Sequence, residues 1–196
     1  MERYPTYLLI GAPGSGKGTQ GKTLGALPRF FHCACGDVFR SIDTRTPLGQ
    51  AFLEYSSKGQ LVPDEITVQL WLEQIGHSVE MHAFKPDIDH LVLDGIPRNV
   101  NQARIMDEVI QVDKVFHLSC PSREDLVIRL KKRALKDNRL DDANEEVIRR
   151  RLEVYEAESK PLLEYYPPDM VKEIDSTRQP HQVLHEILDA IIKDGR

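Results

Sequence analysis

The sequence has few cysteines and no long hydrophobic run. Its 196 residues include only three cysteines, Cys33, Cys35 and Cys120, an odd number that does not suit a disulfide framework. We therefore expect a reducing, cytoplasmic setting. No stretch approaches the roughly 20 apolar residues of a transmembrane helix, and the first apolar run is too short for a signal peptide. The sequence predicts no membrane association.

A net basic charge is also missing, because the formal net charge is −5 at pH 7. This balance argues against a nucleic-acid-binding protein, which is usually basic. The neighbouring residues His32, Cys33 and Cys35 are possible metal ligands, but no second pair follows them at zinc-like spacing. The sequence predicts neither a nucleic-acid partner nor a zinc site.

What the sequence does contain is a regular alternation of short apolar runs with helix-like stretches. Strands are predicted over 6–10, 30–34, 90–94, 114–118 and 170–174. Helices are predicted over 17–26, 37–43, 48–57, 65–80, 100–110, 122–136, 144–165 and 181–193. This alternation predicts an α/β fold with a mainly parallel sheet covered by helices, and the length suits one domain over 1–196.

A glycine-rich stretch, Gly11-Ala-Pro-Gly-Ser-Gly-Lys-Gly-Thr-Gln20, follows the first predicted strand and precedes a predicted helix. Strand, glycine-rich turn and helix are the context in which backbone N–H groups and a helix N-terminus bind phosphate. Lys17 adds a mobile charge for the outer phosphates, and the Thr19 hydroxyl suits Mg²⁺ or a phosphate oxygen. The usual motif has Ser or Thr directly after the lysine, whereas Gly18 intervenes here. An ordinary turn is the alternative, but the pattern favours a nucleotide-phosphate site.

A second candidate site follows the apolar strand 90–94. This strand ends in Asp94, whose carboxylate is suited to orienting hydrated Mg²⁺ beside phosphates. Gly95 permits close approach to the backbone, and Arg98 offers a planar fork for a second phosphate. An exposed strand-end turn is an equally good interpretation of this stretch alone.

Positive charge is concentrated between residues 129 and 151, which contain nine Lys or Arg against five Asp or Glu. A solvated helix face is the ordinary explanation of such a run. A nucleic-acid patch would include aromatic residues for base stacking, and this segment has none. A group of arginines around transferring phosphates agrees best with the phosphate loop.

Together these motifs resemble the adenylate kinases, a family of nucleoside monophosphate kinases. The matching pieces are the Gly11–Gln20 stretch, Cys35-Gly-Asp with Arg40, Gly59-Gln-Leu-Val62, Asp94-Gly-Ile-Pro-Arg98, Gln102, Arg129 with Arg133, Arg139-Leu-Asp-Asp and Arg149–Arg151. They extend from residue 6 to about residue 193. The resemblance implies a three-layer phosphate-loop kinase fold with a five-stranded parallel sheet, a small helical flap over 36–62 that binds the monophosphate, and a short lid over 134–142.

The resemblance also implies a reaction, the Mg²⁺-dependent and reversible transfer of the ATP γ-phosphoryl group to AMP, which gives two ADP. By analogy Lys17, Asp94, Arg98, Arg133, Arg139 and Arg151 are the catalytic residues. ATP would be bound by Gly14, Ser15, Gly16, Lys17, Gly18, Thr19, Arg129, Arg133 and Arg178. AMP would be bound by Cys35, Arg40, Gly59, Gln60, Leu61, Val62, Gly95, Arg98, Gln102, Arg139 and Arg151.

The same analogy assigns supporting roles and leaves alternatives. Asp94 and Thr19 would lie near Mg²⁺ without binding it directly, and Asp141 and Asp142 would position arginines of the lid. Cys35 stands where most members have threonine, so a UMP/CMP kinase remains an alternative, as does a catalytically silent nucleotide-binding scaffold. We expect a monomer that binds ATP and AMP.

Overall fold

The structure, a computed structural model, describes residues 3–58, 60–137 and 144–195 and contains one five-stranded sheet covered by helices. The strands are β1 (Tyr4–Ile10), β2 (Phe30–Ala34), β3 (His90–Asp94), β4 (Ile110–Ser119) and β5 (Val171–Asp175). Their order across the sheet is β2-β3-β1-β4-β5, and every neighbouring pair is parallel. The predicted α/β fold with a five-stranded parallel sheet is therefore confirmed.

The helices lie between the strands in the chain, as parallel connections require. They are α1 (Lys17–Gly25), α2 (Cys35–Arg40), α3 (Pro47–Ser57), α4 (Asp64–Glu80), α5 (Val100–Met106), α6 (Arg123–Asp137), α7 (Glu145–Val154), α8 (Leu162–Tyr165) and α9 (Pro180–Lys193). A π-helical turn, Tyr155–Ser159, follows α7 directly. None of the helices in the described ranges is both long and apolar enough to cross a membrane.

Strand β1 is buried on both faces of the sheet, which explains its continuous apolar sequence. Leu8 and Ile10 point into the larger core cluster, together with Trp71 and Ile75 of helix α4. Tyr7 and Leu9 alternate with them and point into the second cluster, where helix α9 packs. The central strand is thus fixed from both sides, and so is the loop that follows it.

Three predicted helices differ from the structure by more than one residue. The first, predicted over 37–43, is helix α2 and ends at Arg40. The helix predicted over 100–110 ends at Met106, because Ile110 pairs with Tyr4 and begins strand β4. The helix predicted over 144–165 is interrupted by the π-helical turn and then by Pro161, which precedes the short helix α8. Proline lacks the N–H that continues a helix, so it is typical of a helix start.

The predicted flap over 36–62 contains most of helix α2 and all of helix α3. Of the predicted lid over 134–142, residues 134–137 belong to helix α6. The rest of that segment lies outside the described residues.

The sheet places two predicted sites next to each other. In the parallel register of β1 and β3, Leu9 lies opposite Asp94, so the phosphate loop and Asp94 leave the same edge of the sheet. Strand β1 has β3 on one side and β4 on the other. In open α/β sheets ligands bind at such a point, beyond the carboxyl ends of the strands.

Candidate active site

The phosphate loop joins strand β1 to helix α1. Gly14 and Gly16 have φ angles of 86° and 98°, which residues other than glycine rarely adopt. A Cβ atom at Gly14 would also lie 3.1 Å from the carbonyl oxygen of Leu126 on helix α6. Helix α1 begins at Lys17, so the positive end of its dipole lies at the loop. The glycines thus permit a tight turn that is suited to anions.

Lys17 folds back over this loop. Its Nζ donates hydrogen bonds to the carbonyl oxygens of Gly11, at 2.7 Å, and Ala12, at 3.1 Å. An ammonium group has three N–H donors, so a third remains for a phosphate oxygen. The backbone therefore orients the charge before any ligand arrives, which is the preorganisation that favours charge stabilisation in catalysis.

The charges around Lys17 are mostly of one sign. Burial lowers the pKa of Lys17 to about 8, and the carboxylate of Asp94 opposes this shift. The guanidinium groups of Arg133, Arg98 and Arg151 lower the pKa further. Four cations thus act on one another close to the carboxylate of Asp94, an arrangement that a bound polyanion would stabilise.

A cavity of about 760 Å³ lies at this edge of the sheet and contains most of the predicted site. The predicted residues in its wall are Gly14, Ser15, Gly16, Lys17, Gly18, Thr19, Gln60, Leu61, Val62, Asp94, Gly95, Arg98, Arg129, Arg133, Arg151 and Arg178. Residues from distant parts of the chain therefore meet in one pocket, which has the size typical of a ligand site.

Other predicted site residues are not placed in this wall. Cys35 and Gln102 are buried, with exposed fractions of 1% and 0%, and neither is part of the cavity lining. Arg40 is the last residue of helix α2, and its side chain is outside the described part of the structure. Gly59, Arg139, Asp141 and Asp142 lie outside the described residues.

Gln102 is held within the protein at both ends of its amide. Its Oε1 accepts from the backbone N–H of Arg98, and its Nε2 donates to Oδ1 of Asp64, each at 2.8 Å. Asp64 also accepts from Nδ2 of Asn99, at 2.9 Å, and from Nδ2 of Asn101, at 2.8 Å. Burial raises the pKa of Asp64, but the three amide donors bring it below its usual value. Asp64 was not among the predicted site residues, since its partners are about 35 positions away in the sequence.

Two guanidinium groups of the wall are fixed by carbonyl oxygens. Nε of Arg98 donates to the carbonyl oxygen of Gly95 at 2.9 Å. Nη1 of Arg129 donates to the carbonyl oxygen of Ser176 at 3.0 Å, which ties helix α6 to the loop after strand β5. Each guanidinium has five N–H donors, so these bonds orient the group and leave donors for a ligand.

The basic segment 129–151 divides between the cavity and the surface. Its cavity-lining members are Arg129, Lys132, Arg133, Lys136 and Arg151. Its surface members Lys131, Arg149 and Arg150 form exposed ion pairs with acidic side chains of helices α6 and α7. The interpretation as a solvated helix face therefore applies to the surface residues, while the interpretation as a phosphate-binding group stays a prediction for the cavity residues. Lys132 and Lys136 were not predicted as site residues. They lie three positions after Arg129 and Arg133, and this spacing places them close to those arginines on the surface of helix α6.

The flap contributes an apolar wall that sequence analysis also missed. Phe39 and Phe52 stack with ring centroids 5.2 Å apart and planes 12° from parallel, and both line the cavity. Leu61 and Val62 extend the same lining. No local pattern indicates this pairing, because the two phenylalanines belong to different helices.

Tyr155 is a further cavity residue that was not predicted. Its hydroxyl lies 3.3 Å from Nε2 of His117 on strand β4. Burial raises the pKa of Tyr155 to about 12 and lowers the pKa of His117, so a neutral pair lies beneath this part of the wall. In an α-helix, residues four positions apart are rotated by about 40° around the helix axis relative to each other. The π-helical turn has more residues per turn and offsets this rotation, so Arg151, Tyr155 and Ser159 all reach the cavity.

Oxygen donors suited to Mg²⁺ lie beside the phosphate loop. The carboxylate of Asp94 and the hydroxyl of Thr19 both line the cavity, and a Cβ atom at Gly18 would lie 3.4 Å from Oδ2 of Asp94. These are hard oxygen ligands of the kind Mg²⁺ prefers alongside phosphate oxygens and water. Within 3–58, 60–137 and 144–195, no three or more His, Cys, Asp or Glu residues form a group that could hold a metal ion.

Comparison with known proteins finds similar sequences along most of the chain. Residues 9–171 match the sequence profile of the family described as adenylate kinase. Similar proteins include an adenylate kinase from Synechococcus sp. strain JA-2-3B'a(2-13), which is 33% identical over 98% of this chain and 98% of the relative. Another, from Cyanothece sp. strain PCC 7425, is 39% identical over 81% of this chain and 80% of the relative. A third, from Thermobifida fusca strain YX, is 35% identical over 94% of this chain and 96% of the relative.

Proposed function

Since this chain belongs to the adenylate kinase family of phosphotransferases, we propose that its cavity is where ATP and AMP react to give two ADP. The observation that most supports this proposal is the meeting of Lys17 with Arg98, Arg133 and Arg151 around the phosphate loop. A chain of phosphates shared by a donor and an acceptor nucleotide is the polyanion that such a set of cations would bind.

In this proposal ATP occupies the end of the cavity formed by the phosphate loop and helix α6. Residues 14–19 bind its phosphates, Arg129 lies over its adenine, and Arg133 contacts the phosphates. The backbone at Arg178 meets the edge of the base. The bond between Arg129 and the carbonyl oxygen of Ser176 supports this assignment, because it fixes the guanidinium next to the loop that contains Arg178.

AMP occupies the end formed by the flap and the segment after strand β3. Arg98 and Arg151, with Arg40 and Arg139, surround its phosphate, while Gln60, Leu61, Val62 and Gly95 lie near its ribose and base, as does Gly59. Direct contacts of Cys35 and Gln102 with the base remain predictions, and in the described conformation neither side chain has surface in the cavity. The apolar lining on Phe39 and Phe52 suits a flat base.

Transfer of the γ-phosphoryl group needs no enzyme nucleophile, because the acceptor is already a phosphate oxygen. Positioning and charge neutralisation must therefore supply most of the rate acceleration. Lys17 and the arginines neutralise charge that develops on the transferring group, and Asp94 and Thr19 would hold hydrated Mg²⁺. Mg²⁺, when bound with the nucleotide, supplies further charge neutralisation between the phosphates.

Water must be excluded during the transfer, since it would compete as an acceptor. We assign this role to the flap over 36–62 and the lid over 134–142, which would close over the two nucleotides. Closure of a lid on substrate binding is already the accepted behaviour of adenylate kinases, so this part of the proposal follows the family. A cytoplasmic monomer completes the proposal, and the three free cysteines, Cys33, Cys35 and Cys120, are consistent with a reducing compartment.

The experiment that tests the proposal is a coupled assay with Mg-ATP and, separately, AMP, dAMP, UMP and CMP. We expect AMP to be the best acceptor, with UMP and CMP at least about tenfold poorer in kcat/KM, since unmade buried polar contacts cost about 1–3 kcal/mol. Equal or better use of UMP or CMP would replace the assignment with a UMP/CMP kinase. Nucleotide binding without turnover of any acceptor would support the scaffold alternative.

A further inference from the structure

We propose that Asp64 is a positioning residue for the acceptor phosphate, acting on Arg98 through the buried amide of Gln102. The inference rests on the proposed role of Arg98 at that phosphate. Oδ1 of Asp64 accepts from Nε2 of Gln102 at 2.8 Å, and Oε1 of Gln102 accepts from the backbone N–H of Arg98 at 2.8 Å. A continuous chain of hydrogen bonds thus runs from the carboxylate to the arginine.

The chemistry of the carboxylate fixes the direction of this chain. An ionised carboxylate only accepts hydrogen bonds, so Gln102 must turn its NH₂ group toward Asp64 and its oxygen toward Arg98. If the amide were reversed, its NH₂ group would face the N–H of Arg98 and leave two donors opposed. Because Gln102 has no exposed surface, water cannot restore the lost bonds.

The backbone of Arg98 matters because it determines where the guanidinium lies. Its side chain is already held at one point, where Nε donates to the carbonyl oxygen of Gly95. The bond from Gln102 holds the same residue at its N–H. With both points fixed, the remaining guanidinium donors are directed into the cavity. A displacement of about 1 Å at such a group is enough to reduce transfer strongly.

The position of Asp64 in the chain gives this contact a second consequence. Asp64 is the first residue of helix α4 and follows directly after the flap, whose last residues Leu61 and Val62 line the cavity. Through Gln102 and Asn99, its carboxylate joins this end of the flap to the N-terminus of helix α5. Asp64 therefore holds the base of the flap and the Arg98 segment in one fixed relation.

The decisive variant is Asp64→Ala, which removes both carboxylate oxygens and leaves the buried Nε2 of Gln102 without the acceptor that orients its amide. We expect the KM for AMP to rise about tenfold, the size of an effect from one unmade buried contact. The KM for ATP should change less than about twofold, because the ATP end contains none of these bonds.

A matched control is Asn101→Ala. It removes a hydrogen bond to Oδ2 of the same carboxylate at 2.8 Å but leaves the Gln102 to Arg98 chain intact. We expect this variant to lower the unfolding temperature while the KM for AMP stays within about twofold of the wild-type value. A similar rise in KM for AMP in both variants would mean that Asp64 affects only stability, and would overturn the proposal.

A double-mutant cycle tests whether the effect passes through Arg98. In an Arg98→Ala background, Asp64→Ala should cause no further change in KM for AMP, whereas independent effects would multiply. An undiminished tenfold effect in that background would overturn the proposal. If Arg98→Ala itself left AMP kinetics normal, the proposed function of Arg98 would fail instead, so the two failures are distinguishable.

Gln102→Leu interrupts the same chain from its other end, with an apolar side chain that suits a buried site. Since every nucleoside monophosphate shares the phosphate, we expect kcat/KM for CMP to fall about tenfold, and kcat/KM for AMP to fall by at least as much. An additional loss for AMP would come from the predicted contact of Gln102 with the base. A loss confined to AMP would overturn the positioning role, as would unchanged kinetics in both Asp64→Ala and Gln102→Leu.

Discussion

The two ends of the cavity are built in different ways. The phosphate-loop end is formed by consecutive residues between β1 and α1, on a strand that is buried on both faces, and it is dominated by cations. The flap end is assembled from helices α2 and α3 and the residues that follow them, and its wall includes the apolar side chains of Phe39, Phe52, Leu61 and Val62. The proposed chemistry on phosphate is thus concentrated in the part that the sheet fixes, and the proposed base recognition lies in the part that the separate helices contribute.

This difference predicts which changes affect turnover and which affect binding of one substrate. Cations oriented before the ligand arrives act mostly on the transition state, in which charge is redistributed over the phosphates. Apolar contacts with a base remote from the reacting bond act alike in the ground and transition states, so they change KM more than kcat. Substitutions at the phosphate-loop end should therefore lower kcat, whereas substitutions at the flap end should mainly raise the KM for AMP.

The largest effect is expected at Lys17. Lys17→Met removes the ammonium that the carbonyl oxygens of Gly11 and Ala12 orient. We expect kcat to fall by on the order of 10²–10³, as for loss of one preorganised charge donor, with a much smaller change in ATP binding. Steady-state kinetics with Mg-ATP and AMP measure this. If the variant retained more than about a third of the wild-type kcat, Lys17 would not be stabilising the transition state.

The next largest effect is expected at the arginines that we propose to face the transferred phosphate. Arg98→Lys and Arg151→Lys keep the charge but lose the planar fork, so each should lower kcat/KM by about 10- to 100-fold. Arg150→Lys is the matched control, because Arg150 forms an exposed ion pair with Glu153 on helix α7. Near-normal kinetics for both cavity variants would make these arginines equivalent to that surface residue.

How well the sequence predicted each end of the cavity depends on how far apart in the sequence the interacting residues lie. Glycines at fixed spacing around Lys17 are a local pattern, so the phosphate loop was identified directly from the residues. The apolar wall depends on the packing of Phe39 against Phe52, and this pairing has no sequence periodicity. The contact of Asp64 with Gln102 spans 38 positions and likewise needs the tertiary structure.

Errors in the secondary structure have the same origin. The sequence 100–110 is helix-like, but Ile110 is buried against Tyr4, and strand pairing determines its conformation. The break after Val154 depends on a π-helical turn that aligns Tyr155 with the cavity, and propensity does not indicate such a turn. Tertiary contacts decided both outcomes.

A smaller effect concerns pH at the cationic end. Because the pKa of Lys17 is lowered to about 8 by burial and its cationic neighbours, the empty enzyme loses this charge as the pH rises through 8. A bound phosphate favours the protonated form, so ATP binding should take up a proton between about pH 8 and 10, and ATP affinity should fall by at most about tenfold per pH unit.

Calorimetric titration with ATP in buffers of different ionisation enthalpy measures this proton uptake. Lys17→Met is the control and should show no proton uptake from Lys17. Proton release on ATP binding at pH 9 would contradict the assignment.

The lowered pKa of Lys17 also affects stability. Between pH 8 and the ordinary lysine pKa of 10.5, the unfolded chain binds more protons than the folded chain at this residue. The contribution of Lys17 to the free energy of unfolding therefore increases with pH.

The smallest effect is expected at the flap end, where Phe52→Leu removes an aromatic ring from the wall but keeps an apolar side chain. Stacking of a base on an aromatic ring contributes about 1 kcal/mol or more, so KM for AMP should rise about fivefold, while kcat and KM for ATP change little. Phe31→Leu is the matched control, because Phe31 stacks on Phe84 with ring centroids 5.1 Å apart and is not part of the cavity wall. That variant should lose stability and keep its substrate kinetics. Phe52→Tyr should restore the KM for AMP, since it retains the ring. If Phe52→Leu lowered kcat as strongly as a change at Arg151, the two ends of the cavity would not be functionally separate.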